Sequence, residues 1–199
     1  MTQTKKAKVR NLIIAAMLTA LGILIPMMMP VKLIIGPASF TLAAHVPVMA
    51  AMFFSPLMTA FVALGTTLGF MISIPVPTIW LRALMHLPVM TVGAYVLKKH
   101  PEFVHQKVKI QIFNFILGIF HAGLETLVVY AFYSLGFANI EQGALLNFLL
   151  LIALGGLVHS MIDFNLAFGL GNVLSKAFPI DIFDKAKNLV NKKKVKAEI

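Results

Sequence analysis

The chain contains no cysteine. Thiol chemistry, disulfides and cysteine-based metal sites are therefore excluded, and the redox compartment is left open. Charge is scarce, at 12% of residues, and acid is scarcer, with 7 Asp and Glu against 17 Lys and Arg. The sequence has no G-x-x-x-x-G-K-[ST] phosphate loop, so it carries no means of driving itself with ATP, and no H-E-x-x-H zinc motif. No internal repeat or low-complexity segment is visible. Without an inverted repeat, a self-sufficient secondary transporter of the familiar kind is disfavoured. A small bundle without an engine reads as a subunit that is not itself an enzyme.

What the chain does have is apolar surface. Hydrophobic residues make up 59% of its 199 positions, and the mean hydropathy is +0.90. The apolar blocks run along the whole length, which fits one integral membrane domain over residues 1–199 and leaves no room for a second, soluble one. The fold expected is an all-α membrane protein, a compact bundle of six transmembrane helices. The spans fall at Arg10–Met29, Ser39–Phe54, Pro56–Ile72, Pro77–Leu97, Ile110–Leu135 and Gly143–Lys176. The first follows Lys5, Lys6, Lys8 and Arg10 in the manner of a signal peptide, but its apolar run is too long for one, and further spans follow. Spans two and three, joined at Ser55-Pro56, are short against the ~17–25 residues of a full crossing and read alternatively as one bent hairpin. Pro47 and Pro88, placed inside spans two and four, free the carbonyls of Ala43 and Leu84.

The net charge of +10 would suit nucleic acid only if it gathered on a soluble face. Here it lies in the gaps between apolar runs, so it sets orientation in the bilayer and implies no nucleic acid partner. Four basic residues (Lys5, Lys6, Lys8, Arg10) lie in the N-terminal tail and at the start of span one, four more (Lys98, Lys99, Lys107, Lys109) lie between spans four and five, and seven follow residue 175. Both termini are then cytoplasmic, with a basic tail over 185–199, and the outer loops are Pro30–Ala38, Ser73–Val76 and Gly136–Gln142.

Against this background Arg82 stands out as the one basic residue in the middle of a long apolar segment. A cation at membrane depth is expensive and is ordinarily paired, wet or holding a ligand. His86 lies one turn further along the same helical face, and His121 and Glu125 form a similar i, i+4 pair on span five. With His45 on span two and Asn147 on span six, these residues point to one outward-facing pocket. Arg82 suits a carboxylate, whose two oxygens a guanidinium binds together. Glu125 neutralises Arg82 in the empty pocket, or holds a ring nitrogen or hydroxyl of the ligand. Trp80 and Tyr130 offer faces for a flat ring, and the loop Pro30–Ala38 offers a lid. The plainer reading makes Arg82 and Glu125 a structural ion pair, each histidine a link between helices, and Trp80 and Tyr133 interfacial aromatics. His159 and Asp163 read as a structural pair too deep for the pocket, and the 12 methionines as adaptable packing. Ala16-x-x-x-Ala20 and Gly65-x-x-x-Gly69 permit close helix approach, either within the bundle or, for span one, with a partner membrane protein.

The stretch from Pro37 to Pro47 (PASFTLAAHVP), followed by Met52-Phe53-Phe54-Ser55-Pro56 and Gly65-Thr66-Thr67-Leu68-Gly69-Phe70, resembles the substrate-binding S components of energy-coupling factor (ECF) vitamin transporters. The six-helix layout and the alanine pattern of span one share in the likeness, which covers about Ala15 to Leu174. The resemblance implies a multi-pass protein of the bacterial cell membrane. It binds one vitamin from outside with high affinity, docks through Ala16 and Ala20 on a transmembrane coupling protein served by two cytoplasmic ATPases, and topples to release its cargo. The chain itself then binds no cofactor or metal, ATP and Mg being held by the ATPases. The segment around His45 together with Leu81-Arg82-Ala83-Leu84-Met85-His86 looks most like the niacin-specific branch. Pantothenate also carries a carboxylate, whereas pyridoxine or hydroxymethylpyrimidine would use Arg82 poorly. Two other classes remain open: a b-type cytochrome using His45, His86, His121 and His159, and a stand-alone proton-coupled carrier with Glu125 and the histidines as its relay.

Overall fold

The computed structural model describes residues 3–36, 38–137 and 141–197, without the side chains of residues 3, 4, 142 and 192–197. Pro37 of the family-like stretch, residues 138–140 of the third outer loop and the side chains of the last lysines thus lie outside the described residues. Eight α-helices and one β-hairpin follow one another in the order α1 (Gln3–Met28), β1 (Lys32–Ile35), β2 (Ala38–Thr41), α2 (Val46–Ala51), α3 (Pro56–Ser73), α4 (Pro77–Leu84), α5 (His86–Lys99), α6 (Lys107–Ser134), α7 (Gln142–Ala177) and α8 (Asp181–Ala197). A 3₁₀ turn, Pro101–His105, joins α5 to α6. Among the described residues, 5 helical segments are long and apolar enough to cross a membrane: Lys5–Met28, Pro56–Ser73, Pro77–Lys99, Lys107–Ser134 and Gly143–Ala177.

The remaining expected helix, Ser39–Phe54, is not one. Residues 38–41 are a strand, antiparallel to β1 with Lys32 opposite Thr41 and Ile35 opposite Ala38. Only Val46–Ala51 is helical, and Pro47 sits in its first turn, where no backbone donor is needed. The expected lid loop Pro30–Ala38 is largely this hairpin, turning at Gly36 with φ +54°. The segment nevertheless runs alongside α7 for most of its length. Gly36 packs at Phe148, Phe40 fits the notch left by Gly155, the backbone of Ala43 and His45 bonds Asp163, and Phe54 stacks on Phe178. From Phe148 to Phe178 α7 rises about 45 Å at ~1.5 Å per residue.

Pro88 acts as its position foretells. It cannot donate to the Leu84 carbonyl, and the helix breaks there, α4 ending at Leu84 and α5 restarting at His86. Pro179 ends α7 by the same logic, holding Phe178 extended at φ −153°, ψ 155°. The basic tail is therefore a separate helix, α8, rather than a continuation of α7. Its Ile182, Phe183 and Ala186 are buried, joining Phe53, Phe113, Phe164 and Phe168 in a layer of packed rings.

The glycine motif of α3 is used within the chain. A Cβ on Gly69 would meet the Ile23 Cα at 2.6 Å and its carbonyl oxygen at 2.7 Å, and one on Gly65 would collide with Thr19. On the other helix of this seam Gly22 abuts Thr66. Without a hydrophobic drive between helices in lipid, such backbone proximity is what holds α1 to α3. Ala16 and Ala20 lie exposed on α1, beside the exposed Leu12, Ile13, Met17 and Leu24.

Candidate ligand-binding site

The site is built where α4, α5, α6 and α7 meet the hairpin and the start of α2. Arg82, in the last turn of α4, is only 3% exposed. Its Nη2 donates to Glu125 Oε2 at 2.8 Å and to the Ser39 carbonyl of β2 at 3.3 Å, and its Nη1 lies 3.5 Å from Ser39 Oγ. One guanidinium thus ties α4 to α6 and to the hairpin. The i, i+4 spacing puts His121 Nε2 at 3.4 Å from Glu125 Oε1, and the break at Met85 brings His86 Nε2 to 3.7 Å from the same oxygen. Glu125 therefore faces Arg82 with one oxygen and two imidazoles with the other. Gly156 of α7 faces the Glu125 carboxylate, a Cβ there meeting Oε2 at an ordinary contact distance of 3.7 Å.

His45 is the residue immediately before α2, and its ring meets those of His86 at 4.5 Å, His121 at 4.7 Å and His159 at 4.6 Å, each edge to face. The expected pair of His159 with Asp163 forms, at 3.5 Å, but the expectation that His159 lies too deep for the pocket is corrected here. His159 lines the cavity, and Asp163, wholly buried, orders the turn beneath it. Asp163 Oδ1 accepts the Ala43 N–H at 3.1 Å, and Oδ2 accepts that of His45 at 3.0 Å and lies 3.2 Å from His45 Nδ1. Ala43 is held at φ +63°, a left-handed conformation costing an L residue roughly 1–2 kcal/mol. The two hydrogen bonds to a charged acceptor offset that strain.

The cavity itself is bounded by Ser39 and Phe40 of the hairpin, Arg82, His45, His86, Glu125 and His159, with Phe70 and Ile79 as apolar wall. It is tight. The centre of a water-sized sphere has about 20 Å³ to move in, little more than the ~10–15 Å³ that one water needs.

Five of the eight expected binding residues converge in this way: His45, Arg82, His86, His121 and Glu125. Three do not. Trp80 packs with Phe70, Ile74 and Ile79 behind the wall, Tyr130 is half exposed, and Asn147 is exposed on α7. Helical geometry accounts for them: at about 100° per residue, Trp80 lies roughly 200° around from Arg82 and Tyr130 roughly 140° around from Glu125. Ser39, Phe40 and Asp163 were missed, although the Gly155-Gly156 pair on α7 signals a close approach there.

The chain is 99% identical over 199 residues to the niacin transporter NiaX of Lactococcus lactis subsp. cremoris (strain MG1363), a match covering 100% of this chain and 90% of that protein. The chain belongs to the niacin transporter NiaX family. The relative's name agrees with the niacin-specific branch to which the segment around His45 and Arg82 points. No family model and no solved structure matches the chain.

Proposed function

We propose that this chain is the substrate-binding S component of an ECF-type importer, capturing nicotinate from outside a bacterial cell membrane. The observation that carries the reading is Arg82, a buried guanidinium on the wall of a cavity, bonded to a carboxylate that an incoming carboxylate can replace. Nicotinate offers a planar carboxylate for Arg82, a ring to lie among the imidazoles of His45, His86 and His159 that line the cavity, and a ring nitrogen to face a donor. The close relative's name supports the same cargo. Pantothenate is the second candidate on the strength of its own carboxylate. Seating either molecule in so small a cavity requires the hairpin carrying Ser39 and Phe40 to lift, which makes the hairpin the lid.

Both termini are placed in the cytoplasm by the distribution of Lys and Arg. That topology needs an even number of crossings. The strand, turn and short helix over 38–54, running beside α7, supply the crossing that the five long helices leave out. The partners are then a transmembrane coupling protein, met by the exposed Ala16–Ala20 face, and two cytoplasmic ATPases that hold ATP and Mg. The haem reading loses ground to the site's geometry, because His45 touches His86, His121 and His159 edge to face and leaves no slot for a porphyrin between itself and any of them.

Isothermal titration of the purified protein tests the assignment. Nicotinate is expected to bind saturably, nicotinamide far more weakly, and Arg82→Ala to lose about 2–5 kcal/mol of nicotinate binding. Equal affinity for nicotinamide, or an Arg82→Ala variant that binds as tightly as the parent, overturns it.

A further inference from the structure

We infer that His45, His86, His121 and Glu125 form a binding site for one divalent transition-metal ion of the zinc class. Each residue offers one ligand atom, these atoms lie within 4.8 Å of one another, and all four residues are buried. The set departs from the sequence expectation of a chain without a metal, because no local motif joins ligands that come from α5, α6 and the turn before α2.

The distances favour coordination over hydrogen bonding. Zinc bonds of ~2.0–2.1 Å in a tetrahedron place neighbouring ligand atoms about 3.3–3.4 Å apart. Glu125 Oε1 lies 3.4 Å from His121 Nε2 and 3.7 Å from His86 Nε2. Both separations exceed the ~2.7–3.2 Å of an N–H···O bond. Both ring nitrogens of His86 and of His121 are buried without a hydrogen-bond partner, a costly arrangement that one metal ion relieves at one nitrogen of each ring. Three histidines and a carboxylate are also ligands that zinc accepts. Asp163 completes the pattern: its Oδ2 stands 3.2 Å from His45 Nδ1, the carboxylate-to-imidazole contact that orients a metal-ligating ring and leaves the other nitrogen for the ion.

Charge gives the ion a purpose. With neutral imidazoles, Arg82, Glu125 and Asp163 sum to one negative charge, and a bound nicotinate would make it two in a buried setting. A divalent cation brings the total to zero, and buried charge is tolerable only when so compensated. Glu125 joins the two halves, with Oε2 on Arg82 and Oε1 on the histidines. Metal and nicotinate should therefore strengthen each other's binding, reciprocally. This last step rests on the function proposed above, whereas the metal site itself does not.

The test uses the full chain in detergent, freed of any histidine tag and stripped with a chelator. Titrated with ZnCl₂ alone, it is expected to take up one ion saturably, and CoCl₂ should give the intense visible absorption of a tetrahedral site. His121→Ala and His86→Ala, checked for folding by size exclusion and melting, should each lose both signals. Wild-type protein that binds no zinc, or binds it equally in both variants, overturns the site. Nicotinate affinity should rise about tenfold or more with saturating zinc, within the usual range of coupling between sites. Tight nicotinate binding by a chain that takes up no zinc overturns the metal and keeps the function. Zinc uptake by a chain that never binds nicotinate supports the metal and overturns the function.

Discussion

Arg82 and Glu125 are where the two readings of a buried ion pair, as strut and as receptor, make different claims. A buried pair gains little net stability, because desolvation consumes most of the attraction, but removing one member strands a charge. Arg82→Ala should accordingly cost about 3–5 kcal/mol of stability, while Arg82→Met/Glu125→Leu should be about neutral or stabilising. Nicotinate binding should vanish in both. A double variant that melts as low as the single one, as followed by thermal unfolding, would show the pair to be a strut instead. Most of this residue-scale site was legible, since i, i+4 spacing alone matched His121 with Glu125 and aligned Arg82 with His86. What escaped was depth. His45 and Asp163 were assigned different levels by counting helical residues, but Ala38–Thr41 is a strand, advancing ~3.3 Å per residue instead of ~1.5 Å, and a turn rather than a helix follows it up to His45. The hairpin thus carries His45 down to Asp163.

At the scale of elements, prolines and glycines proved the most readable letters. Pro88 marks the break between α4 and α5, and Pro30 closely follows the end of α1. Gly65 and Gly69 mark the seam with α1. Gly69→Leu would drive a side chain into the Ile23 backbone, which has no rotamer with which to yield. It should cost about 1–3 kcal/mol or more, seen as a lowered melting temperature, whereas the same change at Gly123, which faces open space, should cost little. Equal losses at the two positions would mean that α1 is not held by this seam. The hairpin was unreadable as strands, because each strand is only four residues long: Lys32–Ile35 is an apolar run after its lysine, and the alternation of Ala38–Thr41 is too brief to stand out within a membrane sequence.

For the whole molecule, the sequence conveyed membrane residence and the long helices, and it conveyed the exposed alanine face only as one of two options. The structure separates the two small-residue motifs, turning the glycines inward and leaving Ala16 and Ala20 outward. A bulky residue on that outward face should not touch the pocket. Ala16→Trp/Ala20→Trp is expected to bind nicotinate as the parent does, yet to lose most ATP-driven uptake when assayed in cells with its partner module. Uptake at parental rate would remove this face from the docking surface.

The layer of rings beneath the histidines has a mechanical consequence. Phe53, Phe164, Phe168 and Phe183 pack ring against ring, whereas the hairpin's Ser39 and Phe40 border the cavity directly, so under the function proposed above the hairpin is the side that opens. On that proposal a guest departs through the doorway by which it arrived. Delivery to the far side then calls for the doorway itself to be re-aimed, and a rigid body sealed at its base is suited to being turned as one piece.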